Sequence, residues 1–501
     1  MQTSQNGRSF SLIGTLTFIL ALLAVGALVA IPAIVTWILS VQDHNIARGM
    51  LGSPFVGLLY YQLLAQSPVF AVSALRSLQF SGLSALVLLA AGSLLGYALR
   101  ALAPVRWLRH ALCTLLLVPL LVPGELWAQA FFAVFPSTAV QSLAALALWC
   151  GIKYVGLAAL LTTAALAHGN RSAAAPMLSA AVGALGLFAL LGLQDYAFLR
   201  QMSPLSAMRD NIDRFIFNQG IFDSSFSISS AATMTAIALR AVLLAAVAFP
   251  VAALVRRLFP ENAEAAPTTG KDRARALLAA GAAALVGVIV LAVDARSGAA
   301  SGLAGNLAVY PLYVVLAMVG AAVNTALCFC LARPLVTAKP AARVAAMAAL
   351  LALTALGAVP VSMGEYMQFR FGGMVNTYFP VLLSGIGSTM GVWALVFAAR
   401  AMGVRTDGEW FRRMWRPALA LLAIVVALRM NDTMPSMLYL MQLDMLHPLL
   451  AMRVVVEQAG PSAANFPLVT VVTMAVPVVL LLAVRTAFTE KETVGLALPR
   501  K

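Results

Sequence analysis

Few residues in this chain could do chemistry, and most of those few are charges and amides set among apolar neighbours. Glu125 follows Val122-Pro123-Gly124, and Glu365 follows Val359-Pro360 and Gly364, 240 positions later. Lys153 lies inside an apolar run after Trp149 and Gly151, where a direct ion pair with Glu125 would satisfy both charges. Gln194-Asp195 and Asn431-Asp432 form a second matched pair of sites at segment ends. Carboxylates and amides there either hydrogen-bond the hydroxyls of a polar ligand or cap the helix ends. Arg429, three residues before Asp432, shares its helical face and reads as its internal partner. Arg240, inside another apolar run, faces a polar cavity or snorkels to the headgroups. Trp127, Trp149 and Trp393 either stack on a ligand ring or form an interfacial belt.

No nucleophile–base–acid constellation appears. His44, His110, His168 and His447 are too scattered for a metal site or relay. Cys113, Cys150, Cys328 and Cys330 fall in or beside apolar segments and read as small core residues. No Gly-x-x-x-x-Gly-Lys-Ser/Thr occurs, so the chain does not hydrolyse ATP by that route. This inventory argues against an enzyme, and it calls for no cofactor and no metal.

The elements that must position these residues follow from composition. The chain is 62% hydrophobic and 10% charged, with mean hydropathy +0.92. A soluble domain carries roughly a quarter charged residues. Apolar runs recur along the whole length and predict about twelve spans in a lipid bilayer: 11–40, 77–99, 111–134, 139–166, 177–197, 230–255, 275–294, 308–332, 344–363, 378–400, 417–434 and 467–487. The first is too long for a cleaved signal peptide and reads as a retained helix. The formal net charge of +15 does not indicate nucleic acid. Its Lys and Arg residues gather in alternate short connectors, among them Arg100, Arg106, Lys271, Arg333, Arg405 and Arg485. That alternation places these connectors in the cytoplasm, and with an even number of spans both termini lie there too.

The matched sites make the chain a tandem duplication of one membrane unit. Residues 1–259 form the first half, 260–275 a Pro/Gly-bearing cytoplasmic linker, and 276–501 the second half. Six helices per half give the two repeats one orientation, and the path of a transporter runs between such halves. Three outward segments are long enough to hold structure: 41–76, 198–229 and 435–466. The first, with Tyr60, Tyr61 and Phe70, reads as a short amphipathic interfacial piece. The second is a docking surface or a plain connector.

With these features in place, the chain resembles the two membrane subunits of type I ABC importers, of the maltose and carbohydrate class, fused head to tail. Leu115 to Pro123 is similar to that family's third-helix signature, and Gly192-Leu193-Gln194-Asp195 to its fifth-helix end. Asn218 to Ala232 resembles the segment that enters the last helix. In the second half, Asn324-Thr325, Asn376-Thr377, Arg416-Pro417-Ala418-Leu419-Ala420 and Asn431-Asp432 resemble the partner subunit, as does the tail from Pro477 to Lys501. Each motif is weak alone, and the order and spacing of the set carry the likeness.

The resemblance implies an all-α polytopic protein of about twelve transmembrane helices in two parallel six-helix repeats, located in the bacterial inner membrane. It implies a permease that moves a carbohydrate or related polar solute by alternating access. Its partners would be a cytoplasmic ATP-binding subunit, as a dimer, and an extracytoplasmic solute-binding protein. The substrate pathway would then hold Glu125, Lys153, Gln194, Asp195, Glu365, Asn431 and Asp432.

The family's cytoplasmic Glu-Ala-Ala coupling loop is eroded here. The first half has only His168-Gly169-Asn170-Arg171-Ser172 before Pro176. The second half keeps Arg405-Thr406-Asp407-Gly408, read as a turn. Coupling to an ATPase is therefore expected mainly through Asp407, Gly408, Glu409, Trp410, Arg412 and Arg413. Two other readings compete. One is a motorless permease-fold scaffold that assembles or regulates a membrane complex. The other is a major-facilitator transporter, whose Gly-x-x-x-Asp-Arg-x-Gly pattern is missing after the second span.

Overall fold

The computed structural model describes residues 12–101, 106–168, 211–258, 303–357, 362–384, 386–459 and 466–488. Within them the chain is helical, and the sole β feature is a single bridge between Gln42 and Phe55. The helices are α1 (Leu12–Ser40), α2 (Gly49–Gly52), α3 (Leu59–Gln66), α4 (Pro68–Ala101), α5 (Arg106–Leu121), α6 (Gly124–Val134), α7 (Leu143–His168), α8 (Ile212–Phe217) and α9 (Phe226–Leu258). There follow α10 (Leu303–Thr337), α11 (Pro340–Leu356), α12 (Met363–Phe371), α13 (Phe379–Leu383), α14 (Met390–Ala401), α15 (Asp407–Arg413), α16 (Trp415–Arg429), α17 (Met434–Tyr439), α18 (Pro448–Ala459) and α19 (Phe466–Ala487).

Among the described residues, four helices are long and apolar enough to cross a membrane: Gly14–Ser40, Pro68–Gly96, Leu143–Leu160 and Leu307–Thr337. Shorter apolar helices stand among them, including Pro340–Leu356 and Val471–Ala487. The long helices turn large apolar side chains outward. Leu16, Leu20, Leu23, Ile31 and Ile34 are all exposed on α1, and Val315, Met318, Val319 and Val323 on α10. A soluble fold would leave no such stripes uncovered, so this is a membrane-embedded helical protein.

Two expected spans are broken. The segment 111–134 divides at Val122-Pro123, because Pro123 has no amide hydrogen to donate and holds an extended ψ of 152° as the N-cap of α6. The segment 378–400 divides into α13 and α14 around residues 384–389. The second helix starts at Pro68 rather than at 77, since proline is well suited to a first helical turn. The expected spans 177–197 and 275–294 and the linker 260–275 lie outside the described residues.

The halves defined by chain order interlock in space. α1 packs against α10, α11 and α12 as well as α9, while α19 packs against α5. Four of the apolar clusters mix residues from before and after position 260. Val25 and Val29 pack with Leu331, Leu350 and Leu395, and Leu39 and Ile216 with Met363 and Tyr439. Leu126 joins Tyr310, Met430 and Leu449, and Leu117 joins Leu481. At the α1–α12 crossing, a Cβ on Gly364 would stand 1.9 Å from the Pro32 carbonyl oxygen. The Gly364 amide donates there to Thr36 Oγ1 at 2.9 Å, and Thr36 Oγ1 donates in turn to the Pro32 carbonyl at 2.8 Å. Glycine at 364 is what lets the two backbones meet.

Candidate functional site

Both predicted glutamates begin short helices behind a break in an apolar segment. Glu125 is in the first turn of α6 and Glu365 in the first turn of α12, where the helix N-terminus favours a carboxylate. Ser362 caps α12 by accepting from the Glu365 amide. The buried Glu125 accepts a hydrogen bond from Thr433 Oγ1, a contact between residues 308 positions apart. Asp432, next to Thr433, is exposed and lies within electrostatic reach of Glu365. Burial and the Asp432 carboxylate push Glu365 up to about 7, against a hydrogen bond from Tyr439 that favours the charged form. Glu125 thus meets Thr433, and Glu365 lies within electrostatic reach of the adjacent Asp432, at the link between α16 and α17.

The neighbours of this cluster hold the backbone in place. Asp432 Oδ1 accepts from the Met434 amide at 3.1 Å. Asn431 donates through Nδ2 to the Thr473 carbonyl at 2.9 Å and accepts from the Tyr310 hydroxyl at 3.2 Å. Its amide therefore ties α16 to α10 and α19. Arg429, expected to pair with Asp432, reaches instead to the end of α13. Its Nη2 donates to the carbonyls of Ser384, Leu382 (3.0 Å) and Val381 (3.4 Å), with Asp432 as an electrostatic neighbour. A guanidinium satisfies several helix-end carbonyls at once, which explains the choice. Gly320 on α10 leaves the space: a Cβ there would stand 2.3 Å from Arg429 Nη1.

Lys153 is buried on α7. A reciprocal tryptophan clasp joins its helix to α6. Trp127 Nε1 donates to the Trp149 carbonyl at 3.2 Å and Trp149 Nε1 to the Trp127 carbonyl at 2.9 Å, with the rings stacked 4.6 Å apart. Each of these two indoles thus has one ring face and its N–H engaged by the other residue. Trp393 is half-buried against the apolar cluster of α1, α10 and α14. Gln194 and Asp195 lie outside the described residues.

The predicted coupling segment is folded back on the protein. Asp407-Gly408 is the first turn of α15 rather than an isolated turn, because Thr406 and Glu409 form a reciprocal capping box. Asp407 accepts two hydrogen bonds from Arg333, from Nε at 3.0 Å and Nη2 at 2.5 Å. Trp410, expected on a docking face, is fully buried, 5.3 Å from the Phe329 ring. Arg413 Nη1 donates to the Met402 carbonyl at 3.3 Å. Gly408 and Arg412 are exposed, together with Phe411 and Trp415, whereas Glu409 is half-buried. The helix leaves Phe411 and Arg412 on its exposed side and turns Trp410 inward, since an indole gains far more from the apolar cluster than a guanidinium does.

Sequence reasoning missed the burial of two cations, Arg333 and Arg416, and the acid that pairs with Arg240. Arg333, read as a connector charge, is 2% exposed and clamps Asp407. Arg416 is buried and donates to the Ala487 carbonyl at 3.1 Å, closing the end of α19. Arg240 is neither snorkelled nor in a cavity. It pairs with Asp213 at 2.9 Å, both residues being buried. Asp213 sits on α8, in the outer segment read as a docking surface or connector. There the Ile212 amide donates to Ser77 Oγ and the Ile216 carbonyl accepts from Ser229 Oγ, so residues 211–217 pack into the helices. The signal available beforehand was a stretch that mixes Arg209, Asp210, Asp213 and Arg214 with Phe215, Phe217 and Phe222. Among the described residues no group of His, Cys, Asp and Glu could hold a metal. No family model matches the chain, and no curated protein matches it.

Proposed function

We propose that this chain is the permease component of an ABC-type importer, two membrane subunits fused in one polypeptide. It would move a carbohydrate or related polar solute through a cavity between its halves. The observation that carries the reading is the hydrogen bond from Thr433 of the second half to Glu125 of the first, next to Asp432, which lies within electrostatic reach of Glu365. Polar groups gathered at a boundary between two membrane units are where a transporter holds its solute. The order of helices supports a duplication. A helix of 34 residues, one of 16 and one of 11 in the first half (α4, α5, α6) is followed by 35, 17 and 9 in the second (α10, α11, α12). The motif order described above adds the family, and with it the bacterial inner membrane, cytoplasmic termini, an ATP-binding dimer and an extracytoplasmic binding protein.

The test uses the whole chain in proteoliposomes with a candidate ATP-binding subunit and solute-binding protein. Glu125→Gln or Glu365→Gln should lower solute uptake while leaving membrane levels unchanged. A variant that loses only stability assigns that glutamate a structural role and removes the pathway argument.

One observation favours a second reading, the motorless scaffold. Asp407 and Trp410 are occupied by Arg333 and Phe329, so α15 is latched to α10 rather than offered whole to a motor. Failure of any ATP-binding subunit to co-purify with the chain would favour the scaffold.

A further inference from the structure

The outer segment between α1 and α4 is built inside out. Its apolar side chains point away from the protein: Leu51 is fully exposed, Phe55 is 73% and Leu58 64% exposed, and Leu59 and Leu63 are also outside. Several of its polar groups are bonded inward or within the loop. The Asp43 amide donates to the Pro54 carbonyl at 2.9 Å and the Val56 amide to the Val41 carbonyl at 2.9 Å, around the Gln42–Phe55 bridge. Ser53 Oγ donates to the Gly49 carbonyl and accepts from the Asn45 amide. The His44 amide donates to Ser227 Oγ on α9, and Tyr61 shares a hydrogen bond with Ser40. The loop is therefore fixed to α1 and α9 rather than hanging from them.

Two further facts identify what covers the apolar face. From Gly49 to Leu75 the chain has no charged residue, while Arg48 and Arg76 bound the stretch. The exposed face also continues into the outward stripes of the neighbouring helices, with Ile31, Ile34 and Trp37 on α1 and Val69, Val72 and Leu75 on α4. A docking site for a water-soluble protein carries a polar rim. This face has none on the sides where it meets the two helices.

We infer that residues 51–63 form a rigid wedge seated in the outer leaflet of the bilayer. Leu51, Phe55, Leu58, Leu59 and Leu63 lie among the acyl chains, and Asp43, Asn45 and Arg48 lie at the headgroups. A loop enters hydrocarbon more readily the more of its backbone groups are bonded internally, and the bonds from the Asp43, Val56 and Gly57 amides to the Pro54 and Val41 carbonyls satisfy part of this one. The wedge joins the lipid-facing sides of α1 and α4 and fixes their depth in the membrane.

Site-directed spin labelling of the full chain in lipid nanodiscs tests the proposal, in a background without the four native cysteines. Labels at Leu51→Cys, Phe55→Cys and Leu63→Cys should collide with dissolved oxygen far more than with a water-soluble nickel chelate. A label at Ala47→Cys should show the opposite preference. Preferential nickel access at 51 and 55 would place the loop in water and overturn the wedge. Protection of both from oxygen and nickel alike would mean that a protein covers the face, and would overturn it too. Only variants that keep the elution volume of the parent protein are scored, so misfolding does not mimic either result.

Discussion

At the scale of single residues, burial decides what each charge does. Arg240 and Asp213 face one another across α9 and α8 with almost no exposure. Removing one partner leaves the other charge buried and uncompensated, at a cost of about 3–5 kcal/mol. Arg240→Met should therefore lower the unfolding temperature of the detergent-solubilised protein sharply. The double change Arg240→Met with Asp213→Leu should recover most of the loss, as read by thermal unfolding. His447 presents the complementary case. Its Nε2 donates to the Met430 carbonyl at 3.1 Å, its Nδ1 accepts from the Leu449 amide at 3.3 Å, and burial pushes its pKa down to about 4. The unfolded chain takes up that proton near 6.5, the folded one only near 4. Stability is full above pH 6.5 and falls as pH drops toward 4, by about 3 kcal/mol for this group. In His447→Asn the decline over this window should be shallower, measured by unfolding at a series of pH values.

At the scale of elements, the breaks matter more than the spans. Pro123 ends one helix and sets Glu125 in the first turn of the next, and the Ser362 cap sets Glu365 in the first turn of α12. The end of α13 leaves the Leu382 and Ser384 carbonyls free of helical partners, and Arg429 gathers them. α15 shows how one element divides its duties between two faces. Trp410→Ala should cost about 3–5 kcal/mol, the range for deleting a buried aromatic ring. Arg412→Ala, on the exposed face, should stay within about 0.5 kcal/mol. If an ATP-binding subunit docks here, Arg412→Ala should weaken its co-purification without loss of stability. Equal loss of stability in both variants would show that α15 has no free face.

For the whole molecule, orientation follows from charge and interlocking follows from packing. The Lys and Arg distribution predicts that positions near 104, 265, 338 and 495 face the cytoplasm and 210 and 455 face outward. Single cysteines at these positions, probed with an impermeant reagent on intact cells, should label only at 210 and 455. Labelling at 265 from outside would invert the topology. The interlock of α1 with α10, α11 and α12 means that neither half has a complete core by itself. The halves defined by chain order are thus units of sequence that share their interior.

What the sequence by itself determined is the class of material. Its hydropathy and low charge require helices in a bilayer, because apolar length and backbone hydrogen bonding are local properties that lipid enforces residue by residue. It also singled out Glu125, Glu365, Asn431 and Asp432, since a charge or amide at the end of an apolar run is costly wherever the fold puts it. Tertiary structure alone decided which groups meet. Thr433 and Glu125 are 308 positions apart, and Arg333 and Asp407 are 74 apart. No periodicity encodes such pairings. The same holds for the inward turn of Trp410, the mutual stacking of Trp127 and Trp149, and the diversion of Arg429 from Asp432 to the end of α13. Each is settled by which surfaces the helices bury against one another, and that competition exists only once the chain has packed.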